Sequence, residues 1–191
     1  MLECDEDGRP RVVGEMRGSF GFWEESRGEE KVMLRVKLPP AGGLNARERL
    51  DLVLRMSHAP YLLAGEGERV VQASWKFIRC YRVVSLSVEE TVLETSGQRD
   101  PSPLERLVGF QPYQITMRGG LVYVLDGVSM FGGLTVYDVR DPERIRRVGH
   151  YAAPGEDFYA LSLTPEGKVL VGGRSLHIVE SPGVATSGGA F

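Results

Sequence analysis

The chain has 191 residues, 42% of them hydrophobic, and a formal net charge of −3 from 26 acidic and 23 basic side chains. That composition excludes an intrinsically disordered chain, and the length predicts one domain over residues 1–191. A small negative charge gives no field that would attract nucleic acid, so we expect no nucleic-acid partner.

The N-terminal segment MLECDEDGRP is acidic and lacks the basic start and apolar core of a secretory signal peptide. No apolar run approaches the length of a membrane span, so none is expected. These features predict a cytoplasmic location if the chain is complete, and an extracytoplasmic one if a targeting segment is missing. Cys4 and Cys80 form neither a CxxC pair nor a metal-ligand spacing, so they do not indicate the redox compartment.

The first third of the chain contains several strand candidates. Residues 11–16 carry an Arg-Val-Val-Gly pattern, residues 20–23 are aromatic, and residues 32–38 alternate between apolar and polar side chains. Residues 45–56 have two interpretations, because Leu50, Leu52 and Leu54 alternate as in a strand while Asn45 could cap a helix. We favour the strand, since a third strand belongs at that position of a repeated unit.

Residues 112–151 contain four short apolar segments separated by turn signals, which predicts four antiparallel strands. Gly119-Gly120, Asp126-Gly127 and Asp141-Pro142 supply the breaks. Four short strands in about 40 residues is the size of one propeller blade.

Parts of this unit recur elsewhere in the chain. Asp100-Pro101 recurs as Asp141-Pro142, an offset of 141 − 100 = 41, and Gly109 recurs as Gly149, an offset of 149 − 109 = 40. The order of a tyrosine, a glycine turn and a valine-rich strand also recurs. The recurrence predicts blade-like units at residues 18–58, 60–110, 112–151 and 156–181, with residues 85–96 as a polar insertion.

The segment GGLVYVLDG and the later LTVYDVRDPERIRRVGHY carry a family resemblance. They resemble the LVIVD repeat of bacterial and archaeal β-propellers, and the match lies mainly in residues 100–181. The resemblance implies a propeller, often in an extracytoplasmic setting, and it implies no particular chemistry.

We therefore predict an all-β fold, a small β-propeller of about four four-stranded blades. The last unit lacks a fourth strand, and residues 11–16 could supply it by pairing with residues 176–179, which would close the ring and remove a sheet edge. The alternative is an open partial ring that dimerises or belongs to a longer chain. The chain is expected to be a monomer or a homodimer.

In a propeller, the loops that join strand four to strand one and strand two to strand three share one face. The candidate binding residues on that face are His58, Tyr61, Trp75, Tyr113, Asp126, Phe131, His150, Asp157 and Tyr159. The three tyrosines are predicted to open the innermost strands of successive blades. For Trp75 and Phe131, packing between blades is the favoured interpretation, and contact with a partner is the alternative.

The sequence contains no HExxH, GxSxG or Walker motif, and its three histidines are far apart. We therefore predict no catalytic residue, no metal site and no cofactor. The favoured function is a non-enzymatic interaction scaffold that binds a protein, peptide or glycan through one face. The alternative is a hydrolase or lyase with a histidine and carboxylates at the mouth of the ring, which would need two titratable groups within reach of one substrate.

Overall fold

The computed structural model describes residues 2–4, 10–12, 21–27, 31–40, 42–56, 62–103, 105, 110–126 and 133–181. Its strands are β1 (Leu2–Cys4), β2 (Pro10–Val12), β3 (Gly21–Arg27), β4 (Lys31–Lys37), β5 (Leu62–Glu66), β6 (Arg69–Ala73), β7 (Ile78–Leu86), β8 (Glu90–Arg99), β9 (Pro112–Arg118), β10 (Leu121–Asp126), β11 (Gly133–Asp138), β12 (Arg146–Tyr151), β13 (Ala160–Leu163), β14 (Val169–Gly172) and β15 (Leu176–Val179). Helix α1 (Ala46–Met56) follows β4, and a 3₁₀ turn (Pro142–Arg144) precedes β12. In the described ranges no helix has the length and apolar character that a membrane span requires.

The strands form four sheets, with the orders β1-β2, β3-β4-β8-β7-β6-β5, β12-β11-β10-β9 and β13-β14-β15. The all-β prediction is confirmed at this level, with α1 as the main exception. The chain divides into two compact units: unit 1 contains Met1–Met56 and Arg82–Thr95, and unit 2 contains Ser57–Tyr81 and Ser96–Phe191. The prediction of a single domain stays a prediction.

One face of the unit 1 strands carries a ladder of charges. Arg35 donates to Glu25 at 2.7 Å and also to Glu90, and Arg82 donates to Glu94 at 2.9 Å. Cross-strand pairs of opposite charge stabilise a sheet modestly while keeping that face solvated. The opposite face is apolar and buried, with Leu34, Val36 and Leu93.

Residues 46–56 form helix α1, so the strand prediction for this segment is wrong. The Asn45 side chain accepts from the Glu48 amide at 3.0 Å, and the Glu48 carboxylate accepts from the Asn45 amide at 2.8 Å. This reciprocal pair is a capping box, which satisfies two backbone donors at the helix start. Leu50, Val53 and Leu54 then lie on one face at helical spacing and are buried.

The four strands predicted in residues 112–151 are present as β9 to β12 and pair in chain order. Gly119 and Gly120 join β9 to β10 with φ of 59° and 71°, the conformation of a two-residue hairpin turn that favours glycine. Bulges interrupt the register beside Asp126 and beside Val136. Within unit 2, this sheet is a four-stranded antiparallel sheet whose strands follow one another in chain order.

The β9–β12 sheet packs on both of its faces within unit 2. One core cluster joins it to the β5–β7 strands and contains Leu62, Val71, Ala73, Ile78, Cys80, Phe110, Val122, Val124, Tyr137, Val139 and Ile145. A second cluster joins it to the β13–β15 sheet and contains Leu121, Tyr123, Leu125, Leu134, Val136, Phe158, Leu161, Val169 and Val171. Because side chains alternate along a strand, β10 serves both clusters and is buried throughout, which explains its continuous apolar sequence.

The first strands of the three layers, β5, β9 and β13, lie side by side, and contacts between their corresponding ends show that they run in the same direction. The Glu66 carboxylate, at the end of β5, accepts from the Gly119 and Gly120 amides in the turn after β9, at 2.9 and 3.1 Å. Arg118, at the end of β9, donates to the Thr164 and Pro165 carbonyls in the turn after β13. Two side chains of opposite charge thus occupy equivalent positions and hold successive turns together.

Residues 85–96 were predicted to be an insertion, and nearly all of them group with unit 1, whereas the segments before residue 82 and after residue 95 belong to unit 2. They complete β7, form a turn in which the Ser87 amide donates to the Glu90 carbonyl at 3.0 Å, and begin strand β8. Strand β8 therefore takes the fourth position after β5, β6 and β7. Residues 107–109, which contain the recurring Gly109, lie outside the described residues.

The predicted closing strand falls only partly within the described residues. Arg11 and Val12 belong to β2, where they pair with Glu3 and Leu2 of β1. Residues 13–16 lie outside the described ranges, so pairing of residues 11–16 with β15 stays a prediction.

Replacing Gln114 by leucine should weaken the contact between β9 and β13. The Gln114 amide donates to the Leu161 carbonyl at 3.0 Å and accepts from the Leu161 amide at 2.8 Å, so it substitutes for a neighbouring strand. Losing both bonds is expected to lower the free energy of unfolding by about 1–3 kcal/mol. Urea titration would measure it, with Thr116→Val on the same face of β9 as the control. Equal losses for the two variants would contradict this role of Gln114.

Candidate functional site

The described candidate residues in unit 2 can be placed along its strands by register. Leu62 pairs with Ala73, and Pro112 pairs with Asp126, so each first strand begins beside the end of the second strand. The loop after β6, the start of β9 and the start of β13 therefore lie at the same end of the stacked layers. We call this end, defined by Trp75, Tyr113 and Tyr159, the aromatic end.

Tyr113 and Tyr159 contact each other at the aromatic end. The Tyr113 hydroxyl donates to the Tyr159 carbonyl, and the Tyr159 amide donates to the Gly172 carbonyl at 2.7 Å. Partial burial raises the pKa of Tyr113, and the neighbouring Tyr159 raises it further. Both rings nevertheless remain exposed, by 40% for Tyr113 and 61% for Tyr159. Tyr113 lies in β9 and Tyr159 directly precedes β13, and their place on innermost strands stays a prediction.

Trp75 projects from the β6–β7 loop and is 63% exposed. Ser74 shapes that loop, because its hydroxyl accepts from the Lys76 and Phe77 amides at 3.2 Å. The Lys76 ammonium lies 4.7 Å from the centroid of the indole ring, which is cation–π range. The exposure favours the surface interpretation of Trp75 over packing between layers.

The two candidate aspartates have different environments. Asp126 is buried at the end of β10, where it pairs with Pro112 and Gly133. Asp157 is exposed in the segment before β13. Only Asp157 is therefore available as a surface carboxylate.

His150 lies in β12, the fourth strand of its sheet, opposite Thr135. Its Nδ1 atom is 3.1 Å from the Thr135 hydroxyl. Desolvation of the ring and the charge of Arg147 lower the pKa of His150. Three strand spacings separate β12 from β9, which puts His150 at least about 14 Å from Tyr113. The structure therefore does not bring His150 together with the tyrosines.

His177 forms a histidine–carboxylate contact that the sequence did not indicate. Its Nδ1 atom is 2.8 Å from the Tyr151 hydroxyl, and its Nε2 atom is 3.9 Å from a Glu156 carboxylate oxygen. That carboxylate already accepts from the Ser175 hydroxyl and from the Arg174 and Ser175 amides. Glu156 thus holds the β14–β15 turn, which is a structural task. In the sequence, the alternation of residues along β15, which turns His177 inward, was the only signal that could have indicated this contact.

Three candidates, His58, Tyr61 and Phe131, lie outside the described residues. Among the residues that the structure does describe, no three histidine, cysteine, aspartate or glutamate side chains gather as a metal site would require. Cys80 is a buried free thiol, and burial raises its pKa to about 12, which removes its nucleophilic thiolate at neutral pH.

Comparisons with protein-family models, with curated proteins and with solved structures find no match for this chain. Its function is therefore inferred from the geometry of unit 2.

Proposed function

We propose that the chain is a non-enzymatic binding module that takes an extended peptide segment of a partner protein across the aromatic end. The supporting observation is the exposure of three large aromatic side chains, Trp75, Tyr113 and Tyr159, at one end of three stacked layers. Tryptophan and tyrosine dominate the energetic centres of protein interfaces. Exposed aromatic groups at one site indicate an interaction surface rather than a solvated face.

The spacing of the layers favours an extended segment over a compact ligand. Packed sheets lie about 10 Å apart, so three layers present their aromatic side chains over about 20 Å. An extended chain covers that distance with about six residues. Gln111 and Asp157 are exposed close in sequence to Tyr113 and Tyr159, and they can form hydrogen bonds with a peptide backbone.

The proposal also covers the arrangement of the sheets. The stacked layers of unit 2 would be blades of a small four-bladed β-propeller, in keeping with the resemblance to the LVIVD repeat. Parallel first strands, chain-order pairing and cores on both faces of the middle sheet support it. The β13–β15 sheet would be a blade with three of its four strands.

A displayed library of random peptides, selected against the wild-type protein, tests the binding site. We expect the selected peptides to lose at least about tenfold in affinity for the Trp75→Ala and Tyr159→Ala variants, because hot-spot truncation costs more than about 1.4 kcal/mol. Circular dichroism should show both variants folded, since the two side chains are exposed.

Trp23→Ala is the matched control, because Trp23 is an exposed aromatic residue of unit 1. It should leave peptide affinity unchanged. Selected peptides that bind all three variants equally well would contradict the proposal. If no peptide binds, and glycans on an array bind in a way that requires Trp75 or Tyr159, then the ligand is a glycan rather than a peptide.

A further inference from the structure

The three exposed aromatic side chains of the aromatic end lie on successive layers of unit 2. Trp75 lies in the loop between β6 and β7, Tyr113 lies in β9, and Tyr159 directly precedes β13. Packed sheets are about 10 Å apart, so the rings repeat at about that interval along the stacking direction. A peptide that contacts all three rings must present side chains on one face at the same interval.

The interval between side chains on one face of a peptide depends on its conformation. A polyproline II helix has three residues per turn and repeats every 9 Å or so, close to the layer interval. Three residues of a β-strand also span about 10 Å, but they put the next side chain on the opposite face. An α-helix reaches about 11 Å in two turns, yet its carbonyls are already bonded within the helix. The layer interval therefore favours polyproline II.

In the described part of the aromatic end, several backbone amides are already bonded within the chain. The Ser74 amide donates to the Phe77 carbonyl at 2.9 Å, the Lys76 amide donates to the Ser74 hydroxyl at 3.2 Å, and the Tyr159 amide donates to the Gly172 carbonyl at 2.7 Å. A segment that crosses the layers also runs across the strands rather than beside them, so it cannot extend the ladder of a sheet. Recognition by strand addition is therefore disfavoured.

Side chains at this end supply rings and hydrogen-bond donors instead. Trp75 and Tyr159 are 63% and 61% exposed, and Gln111 is exposed beside them in the second layer. An indole N–H, a phenol and a side-chain amide can each donate a hydrogen bond. A polyproline II segment has free carbonyls to accept these bonds, because it has no internal hydrogen bonds. Proline also brings no backbone N–H that binding would leave unsatisfied.

Lys76 adds a positive charge at one end of this row of rings. It is exposed, and its ammonium lies 4.7 Å from the centroid of the Trp75 ring. The third layer carries Asp157 and Arg174, which are both exposed and of opposite charge, so this end has no clear preference. A bound segment therefore gains an ion pair when it carries an acidic residue at its Trp75 end.

We propose that the segment bound at the aromatic end is proline-rich and adopts a polyproline II helix, with a proline at every third position and an acidic residue beside Lys76. This inference rests on the proposed function and names the class of its peptide ligand. Three prolines contact Trp75, Tyr113 and Tyr159 in turn, and the carbonyls between them accept from the side-chain donors. Seven residues of this helix span about 20 Å, which is the length of the row.

Three synthetic peptides with aspartate at both ends test the conformation and the spacing. The first has three prolines separated by pairs of alanines, the second moves its middle proline by one position, and the third has valine, which favours a strand, in place of every proline. Fluorescence anisotropy with the full chain should show the first peptide binding at least about fivefold more tightly than the other two, since each of them loses ring contacts. Binding of the first peptide should weaken at least about tenfold in Tyr159→Ala.

A charge exchange at Lys76 tests the acidic residue. Lys76→Glu should weaken the first peptide about threefold and strengthen a version with lysine at both ends by about the same factor, because exposed ion pairs contribute modestly. Both effects should shrink at high ionic strength. Glu68→Lys, an exposed reversal in the β5–β6 turn at the opposite end of the strands, should leave both affinities unchanged.

Peptides selected from a displayed random library separate this inference from the proposed function. Enrichment of prolines three positions apart would support the inference. Selected peptides that require Trp75 and Tyr159 but lack such prolines would overturn the polyproline II inference and leave the binding module in place. Equal binding of the three synthetic peptides, or no binding of the first up to about 1 mM, would also overturn it. If no library peptide binds either, the proposed peptide binding fails as well.

Discussion

Replacing Gly97 by alanine is expected to lower the free energy of unfolding by about 3 kcal/mol or more. Gly97 lies in β8, and a Cβ atom there would be 1.7 Å from the Pro142 carbonyl oxygen and 2.4 Å from its carbonyl carbon. Both atoms belong to backbone, so no side-chain rotation relieves the overlap. The 3₁₀ turn is also anchored, because the Asp141 side chain accepts from the Glu143 amide at 3.1 Å.

Gly21→Ala is the matched control for Gly97→Ala. Gly21 is also a strand glycine, and a Cβ atom built on it meets nothing within 4 Å. The control should therefore change stability by less than about 0.5 kcal/mol. Urea unfolding of the two variants beside the wild type measures the difference. Equal stabilities for the two variants would mean that the turn after β11 moves away without cost.

The sequence predicted those parts of the fold that local pattern determines. Strands β9 to β12 are separated by strong turn signals and carry regular patterns of apolar residues. They appear where they were expected. Helix α1 was missed because Leu50, Leu52 and Leu54 suit a strand while Leu50, Val53 and Leu54 suit a helix. The deciding observation was the reciprocal Asn45–Glu48 capping pair, which matters more than alternation over a short segment.

The contacts that join the layers of unit 2 could not be predicted from one sequence. Glu66 and Arg118 occupy equivalent repeat positions with opposite charges, because one meets backbone amides and the other meets backbone carbonyls. The same limit applied to strand β8. Its polar residues did not indicate a strand, because its cross-strand partners include charged side chains.

The candidate site also has parts that the sequence predicted and parts that it did not. The alignment of Tyr113 with Tyr159 followed from the repeat, and the structure places them in contact. His150 was expected on the same face, but the repeat does not give distances across a sheet, and β12 lies three strands from β9. Exposure of Trp75 depends on a turn formed by Ser74, which sequence alone left open.

Replacing Glu105 by glutamine is the second change with a large expected effect, and that effect should depend on pH. Glu105 is almost fully buried, and its carboxylate accepts from Arg99 at 2.8 Å, from the Ser102 amide at 2.7 Å and from the Tyr137 hydroxyl at 3.1 Å. Removing one partner of a buried ion pair costs about 3–5 kcal/mol, because the other charge is left uncompensated. Because the Arg99 side chain remains 21% exposed, we expect a loss near the lower end of this range at pH 7.

The pH dependence follows from the pKa of the Glu105 carboxyl. Burial alone would raise this pKa, but the Ser102 amide and the Arg99 guanidinium outweigh burial and lower it to about 2. The carboxyl of the unfolded chain has a pKa of about 4.3, so its ionised form favours the folded state by about 3 kcal/mol above that pH. This contribution disappears as the pH falls from about 4 to about 2.

Urea titrations at pH 7 and pH 3 test this account. The stability difference between the wild type and Glu105→Gln should shrink to about half at pH 3, because the carboxyl of the unfolded wild type is then protonated while that of the folded protein is still mostly ionised. Glu68→Gln, at an exposed position, should show almost no difference at either pH. An equal difference for Glu105→Gln at both pH values would mean that the mismatch of the new amide with the Arg99 and Ser102 donors, rather than the lost charge, determines the stability of this part of unit 2.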